Sequence, residues 1–177
     1  MSSYSNICFY GGGAWGQALA ITLASLGNKS TLIVSDKFRE VDINNHVSKR
    51  FPQAKLSPLI KASIDKNQII KTCDLIFITT ESKRVLDAIN QVAFLSDKNI
   101  HVVITSKGFA TNQGETFSEV VESDFPNMNL SILTGPTFAD EIANNQPAAA
   151  VIANKVIEQA SLICELFHHS NLRLYPS

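Results

Sequence analysis

A chain of 177 residues, 45% hydrophobic and 18% charged, can bury a sizeable core as one domain, or as one domain with a stub of a second, and is too apolar to be disordered. Its 15 basic and 16 acidic residues leave a net charge of −1, which excludes the cationic footprint of a nucleic-acid or anionic-membrane binder. No apolar run approaches the roughly 18 residues of a membrane span, and the N-terminus lacks the pattern of a secretory leader, so a soluble, cytoplasmic protein is expected.

Residues 6–10 form a short β-branched and aromatic run that predicts a buried strand. Gly11, Gly13 and Gly16 follow in the spacing G-x-G-x-x-G, and residues 14–26, rich in Ala and Leu and free of Pro, predict a helix. Strand, glycine turn and helix are the context in which this spacing binds a dinucleotide. Gly11 allows the tight exit from the strand, Gly13 lets a pyrophosphate approach the backbone, and Gly16 lets the helix pack on the strand. The free N–H groups of the helix's first turn carry about half a positive charge toward the same spot.

A stop at Gly27-Asn28 precedes a second strand over 30–34. An acid at the end of that strand holds the adenosine ribose of NAD, whereas an Arg nearby accommodates the 2′-phosphate of NADP. Asp36 lies twenty residues after Gly16, but if the strand stops at Ile33 the acid's slot holds Val34. Asp36 then sits on the turn, where capping a helix from Lys37 is an equal alternative to ribose binding. Ser35, Lys37 and Arg39 together tolerate a phosphate, so NAD and NADP both stay open.

A weak helix is expected over 37–47 and a loop over 49–59 on the adenine side. Residues 66–72 lead into an almost unbroken apolar run over 74–80, the mark of a central parallel strand covered on both faces. Ser82 is the expected cap of a helix to about residue 95. The next strand, 100–105, ends in Ser106-Lys107-Gly108. Lys107 therefore falls at the carboxyl edge of the sheet, where open α/β sheets bind ligands, and is the best single candidate for touching a substrate. A helix over 115–122, a strand over 130–133, a glycine-opened helix over 137–143, a strand over 148–153, a helix over 156–167 and a last strand over 172–175 complete the chain. Cys8, Cys73 and Cys164 are expected as buried small hydrophobes, and His46 and His101 as surface or satisfied core residues. His168 and His169 end a helix with no ligand set around them, so no metal site is expected. About seven strands alternating with helices give an α/β, doubly wound, mainly parallel sheet with helices on both faces.

Three segments together carry a resemblance: Gly11-Gly12-Gly13-Ala14-Trp15-Gly16-Gln17-Ala18-Leu19-Ala20, then Thr105-Ser106-Lys107-Gly108, then Leu133-Thr134-Gly135-Pro136-Thr137-Phe138-Ala139-Asp140-Glu141-Ile142-Ala143. In order and spacing the chain resembles the bacterial NAD(P)-dependent glycerol-3-phosphate dehydrogenases, the third segment being the most specific. The resemblance implies a Rossmann domain over residues 1–177 and hydride transfer between NAD(P)H and dihydroxyacetone phosphate to give sn-glycerol 3-phosphate for phospholipid synthesis. It implies that Gly11, Gly13, Ala14, Trp15 and Gly16 hold the cofactor's phosphates, with Ser35 and Phe51 near the adenosine. Lys107 meets both cofactor and substrate, Gly135 and Thr137 the substrate, and Ala139 the cofactor.

Two departures stand out. Ser35 replaces an Arg or His common in relatives, and Thr79-Thr80-Glu81 replaces a Val-Pro-Ser loop. The family's all-helical second domain, with the proton-transferring lysine, has no counterpart before Ser177. The resemblance thus implies a cofactor half without catalytic residues of its own, inactive alone, whose uncovered face favours homo-oligomers. The alternatives are a 3-hydroxyacid or ketopantoate type of dehydrogenase and a non-catalytic NAD(P)-sensing module.

Overall fold

The structure, a computed structural model, describes residues 4–96, 99–111 and 113–177. Its centre is β1 (Ile7–Tyr10), flanked in parallel by β2 (Ser30–Ile33) and β4 (Leu75–Ile78). Beyond β2 lies β3 (Ile60–Ser63); beyond β4 come β5 (His101–Ile104), β6 (Asn129–Thr134), β7 (Ala148–Asn154) and β8 (Leu172–Pro176). The eight-stranded order is β3-β2-β1-β4-β5-β6-β7-β8, parallel except for the β6–β7 pair. The chain starts in the middle and winds outward both ways, which opens a crevice at the β1/β4 reversal.

Side chains alternate across each strand and divide the core in two. Phe9, Leu32 and Phe77 face α1 (Ala14–Ser25), α6 (Ala139–Ala143) and α7 (Ile157–Leu166), where Leu19, Leu23, Ile142 and Ile163 meet them. Phe9 stacks on Phe77 with ring centroids 5.0 Å apart, and Phe167 meets Phe77 edge-on at 6.1 Å. On the other side Cys8, Ile76, Ile78 and Ile104 pack under α3 (Lys66–Thr72), α4 (Val85–Leu95) and α5 (Phe117–Asp124). The doubly wound expectation is met, and β4, an apolar run, and β5 are buried along their whole length. All three cysteines are free, Cys8 and Cys73 buried and Cys164 half-buried. Among the described residues no helix is long and apolar enough to cross a membrane.

The structure corrects several boundaries. β3 is an eighth strand: only Ile60 and Ala62 point inward, too short a pattern to announce itself. It is held by β2 and by the Asn44 amide on α2 (Lys37–Asn44), which bonds both the N–H and the carbonyl of Ala62 at 3.0 Å. Ser82 does not cap a helix; it begins a 3-10 turn (Ser82–Arg84) ahead of α4. α5 starts at Phe117, behind a reciprocal Thr116–Glu119 capping box. α6 starts at Ala139, and Thr137 stays in the loop before it.

At the amino-terminal ends of β5 and β6 a polar chain is sealed into the sheet. The Tyr4 hydroxyl and His101 Nδ1 lie 2.5 Å apart, His101 Nε2 and Ser131 Oγ 2.8 Å, and the Asn154 amide donates to Ser131 Oγ at 2.9 Å. Burial pushes the His101 imidazole down from its ordinary 6.5 to about 4. The unfolded chain therefore takes up this proton first as pH falls. The stability that neutral His101 confers is intact above pH 6.5 and is lost progressively down to about pH 4, by roughly 3 kcal/mol. Urea unfolding at pH 7.5 and 4.5 should show a larger loss for the natural chain than for His101→Gln; equal losses would contradict this.

Candidate functional site

The site begins at the exit of β1. Gly11 turns the chain with φ +127°, a conformation costly for any residue with a Cβ. Its N–H donates to the Ile33 carbonyl at 3.2 Å, and its own carbonyl accepts the Thr79 hydroxyl at 2.8 Å. A Cβ on Gly16 would run into that same carbonyl oxygen, so the close approach of α1 to β1 requires a bare residue there. A Cβ on Gly12 would strike Val34. A Cβ on Gly13 would meet no atom of the described residues within 4 Å. Gly13 is the N-cap of α1, with no side-chain cap and no acid in the first turn. A bare, positively polarised helix end therefore faces open space, and it fits the linked phosphates of a dinucleotide.

Gln17, only 3% exposed, braces this turn from behind. Its amide nitrogen donates to the Gly12 carbonyl at 2.9 Å, and its oxygen accepts the Ser48 hydroxyl at 2.5 Å. The sequence offered one signal for it: a lone amide within an Ala- and Leu-rich helix.

Next to the helix end, loops after β4, β5 and β6 enclose a cleft of about 410 Å³. Ala14, Trp15, Lys107, Gly135, Thr137 and Ala139 all line it. Hydroxyls tie the loops together: Thr105 donates to the Ile78 carbonyl at 2.9 Å and Ser106 to the Thr80 carbonyl at 2.5 Å. Lys107 Nζ stands 5.9 Å from the centroid of the Phe138 ring, an arrangement that steadies a cation without neutralising it. A Cβ on Gly135 would come within 2.9 Å of Ala150 Cα, so this glycine seats the loop on β7. Packing of α6 on α1 brings the third motif to the first. Two buried polar atoms at the cleft, Trp15 Nε1 and Thr80 Oγ1, have no hydrogen-bond partner among the described residues.

The six cleft residues anticipated from sequence are thus assembled together, with Gly11, Gly13 and Gly16 forming the turn alongside. The other two lie apart. Ser35 is exposed past the end of β2, and Phe51 is 6% exposed, its ring within the core. The Asp36 alternative resolves toward capping: its carboxylate accepts the Arg39 N–H at 2.8 Å at the start of α2. Phe138, exposed beside Lys107, enters the sequence reading only as part of the third segment and without a role, since its place beside the lysine depends on the fold.

Comparison with known proteins adds the following. The family model described as NAD-dependent glycerol-3-phosphate dehydrogenase N-terminus matches residues 6–160. The glycerol-3-phosphate dehydrogenase (NAD(P)+) of Francisella tularensis subsp. novicida is 34% identical, over 97% of this chain and 53% of its own length. That of Thermoanaerobacter sp. is 29% identical, over 96% of this chain and 51% of its own length. The crystal structure of glycerol-3-phosphate dehydrogenase from Coxiella burnetii superposes with a TM-score of 0.82 at 25% identity, covering 98% of this chain and 54% of that one. The chain spans about half the length of the relatives it matches.

Proposed function

The chain belongs to the NAD-dependent glycerol-3-phosphate dehydrogenase family, in its N-terminal part, and on that premise we propose that it binds NAD(P)H and presents it to dihydroxyacetone phosphate. One observation carries the reading: the α1 end and the Lys107, Gly135 and Thr137 loops share a single cleft at the carboxyl edge of the sheet. The N–H groups of Ala14 and Trp15 take the diphosphate, with Gly11, Gly13 and Gly16 giving the backbone access and the close helix packing. Ser35 stands at the adenosine end, and Phe51 supports that end from below. Ala139 flanks the cofactor. Gly135 and Thr137 position the substrate.

Reduction of the ketone adds a hydride to the carbonyl carbon and a proton to its oxygen, giving sn-glycerol 3-phosphate, the start of glycerophospholipid synthesis. When bound, the reduced nicotinamide supplies the hydride. Lys107 holds the substrate oxygen and stabilises the negative charge that grows on it. We assign the proton donor and the clamp on the substrate phosphate to an all-helical domain of the longer cytoplasmic enzyme. That domain would cover Phe109 and Phe138, 64% and 66% exposed on these residues. The 177 residues by themselves bind cofactor without turnover.

Titration with NADH tests the reading. A saturable change in nicotinamide fluorescence is expected, together with stabilisation of about 2.7 kcal/mol at a hundredfold excess over Kd, on the order of 5–10 °C in Tm. No fluorescence change and no thermal shift at millimolar NADH would overturn it.

A further inference from the structure

Behind the glycine turn a buried amide meets a buried hydroxyl, those of Gln17 and Ser48. Resting on the dinucleotide reading, we infer that Gln17 is a positioning residue for the diphosphate. Its amide aims the Gly13 N–H at the ligand, and through Ser48 it ties the glycine turn to the loop that follows α2.

In a trans, planar peptide unit a carbonyl held on one side turns the N–H of the same unit to the other. All three glycine carbonyls of the turn are held. That of Gly11 accepts the Thr79 hydroxyl at 2.8 Å, that of Gly12 the Gln17 side-chain amide at 2.9 Å, and that of Gly13 the Gln17 backbone N–H at 3.0 Å. Gln17 thus fixes two successive peptide units, Gly12–Gly13 and Gly13–Ala14. The second bond is ordinary helix geometry, whereas the first needs this side chain. Gly12 is buried, so its carbonyl depends on a protein partner. With that carbonyl drawn back onto α1, the Gly13 N–H points forward to the space where a Cβ on Gly13 would meet nothing. Successive N–H groups turned to one side make a concavity for an anion.

The far end of the amide is tethered in its turn. Gln17 Oε1 accepts the Ser48 hydroxyl at 2.5 Å, and Ser48 Oγ accepts the N–H groups of Phe51 at 3.0 Å and Arg50 at 3.2 Å. A serine hydroxyl has one proton to give, and here it goes to Gln17. The amide oxygen therefore faces Ser48 and the amide nitrogen faces Gly12, the orientation that satisfies every group. A chain of hydrogen bonds runs from the loop at 48–51, across 31 residues of sequence, to the peptide unit that presents the Gly13 N–H.

The test measures NADH affinity for the natural chain, Gln17→Met, Ser48→Ala and the double variant, each below its own melting transition, and follows the Gly13 amide resonance. Gln17→Met keeps the length of the side chain and loses both hydrogen bonds. It should weaken NADH by about tenfold, the worth of one well-aimed bond to a charged group, and should shrink the movement of the Gly13 resonance at saturation. Ser48→Ala should weaken NADH by about threefold, and the double variant by no more than Gln17→Met, because Ser48 acts through Gln17. Unchanged affinity in Gln17→Met, however far its Tm falls, makes Gln17 a packing residue and overturns the inference; so do losses that add in the double variant. If Gln17→Met does not fold, Ser48→Ala decides, and full affinity with a full Gly13 shift overturns it. Each of these results leaves the cofactor reading standing, whereas a natural chain that binds no NADH overturns both.

Discussion

Gly13→Val is expected to weaken NADH binding by about a hundredfold or more while leaving the fold intact. Gly13 sits at φ −75° and ψ −172°, an extended conformation open to any L-residue, and its added Cβ meets no heavy atom within 4 Å. The folded protein gains no clash, and replacing a glycine N-cap by a branched residue costs at most about 1 kcal/mol. Tm should therefore fall by no more than about 4 °C. The isopropyl group instead fills the space in front of the Ala14 and Trp15 N–H groups. Two charge-assisted hydrogen bonds of roughly 1.5–3 kcal/mol each are lost, which sets the hundredfold figure. Isothermal calorimetry with NADH, paired with a thermal melt, reads both halves; undiminished affinity would show that the diphosphate does not lie there.

Gly16→Ala should fail in the opposite way. On helix propensity alone, Gly to Ala inside a helix stabilises by about 1 kcal/mol. Here the new Cβ would collide with the Gly11 carbonyl oxygen and come within 2.9 Å of Thr79 Oγ1. The oxygen belongs to backbone held by strand pairing, so α1 must lift from β1 and open the core around Phe9 and Leu19. A loss of about 3 kcal/mol is expected, a large part of a typical domain's stability, with Tm lower by on the order of 10 °C. A melt that is unchanged or higher would contradict the packing role. The two glycines thus separate ligand space from packing space within one motif.

What the sequence made readable follows from periods and spacings that physical chemistry makes strict. The G-x-G-x-x-G turn, the all-apolar β4, and the loop-opening Gly108 and Gly135 each impose a local pattern that survives without knowledge of contacts. The unread parts depend on partners distant in sequence. β3 exists because Asn44 and β2 satisfy a backbone whose own side chains show two inward positions. Gln17 matters through Ser48, 31 residues away. Phe51 belongs to the core because the loop folds back and Ser48 accepts its N–H at 3.0 Å, which no composition of a Pro-containing loop discloses. At Asp36 both readings were chemically sound, and the early end of β2 decided between them.

Amide-resolved NMR of the chain titrated with NADH gives the sharpest check on a diphosphate seated at the α1 end. The resonances of Gly13, Ala14 and Trp15 should move together and saturate with the same Kd as the fluorescence, while those of α7 stay in place. Saturable NADH binding that leaves these three amides unmoved would contradict it.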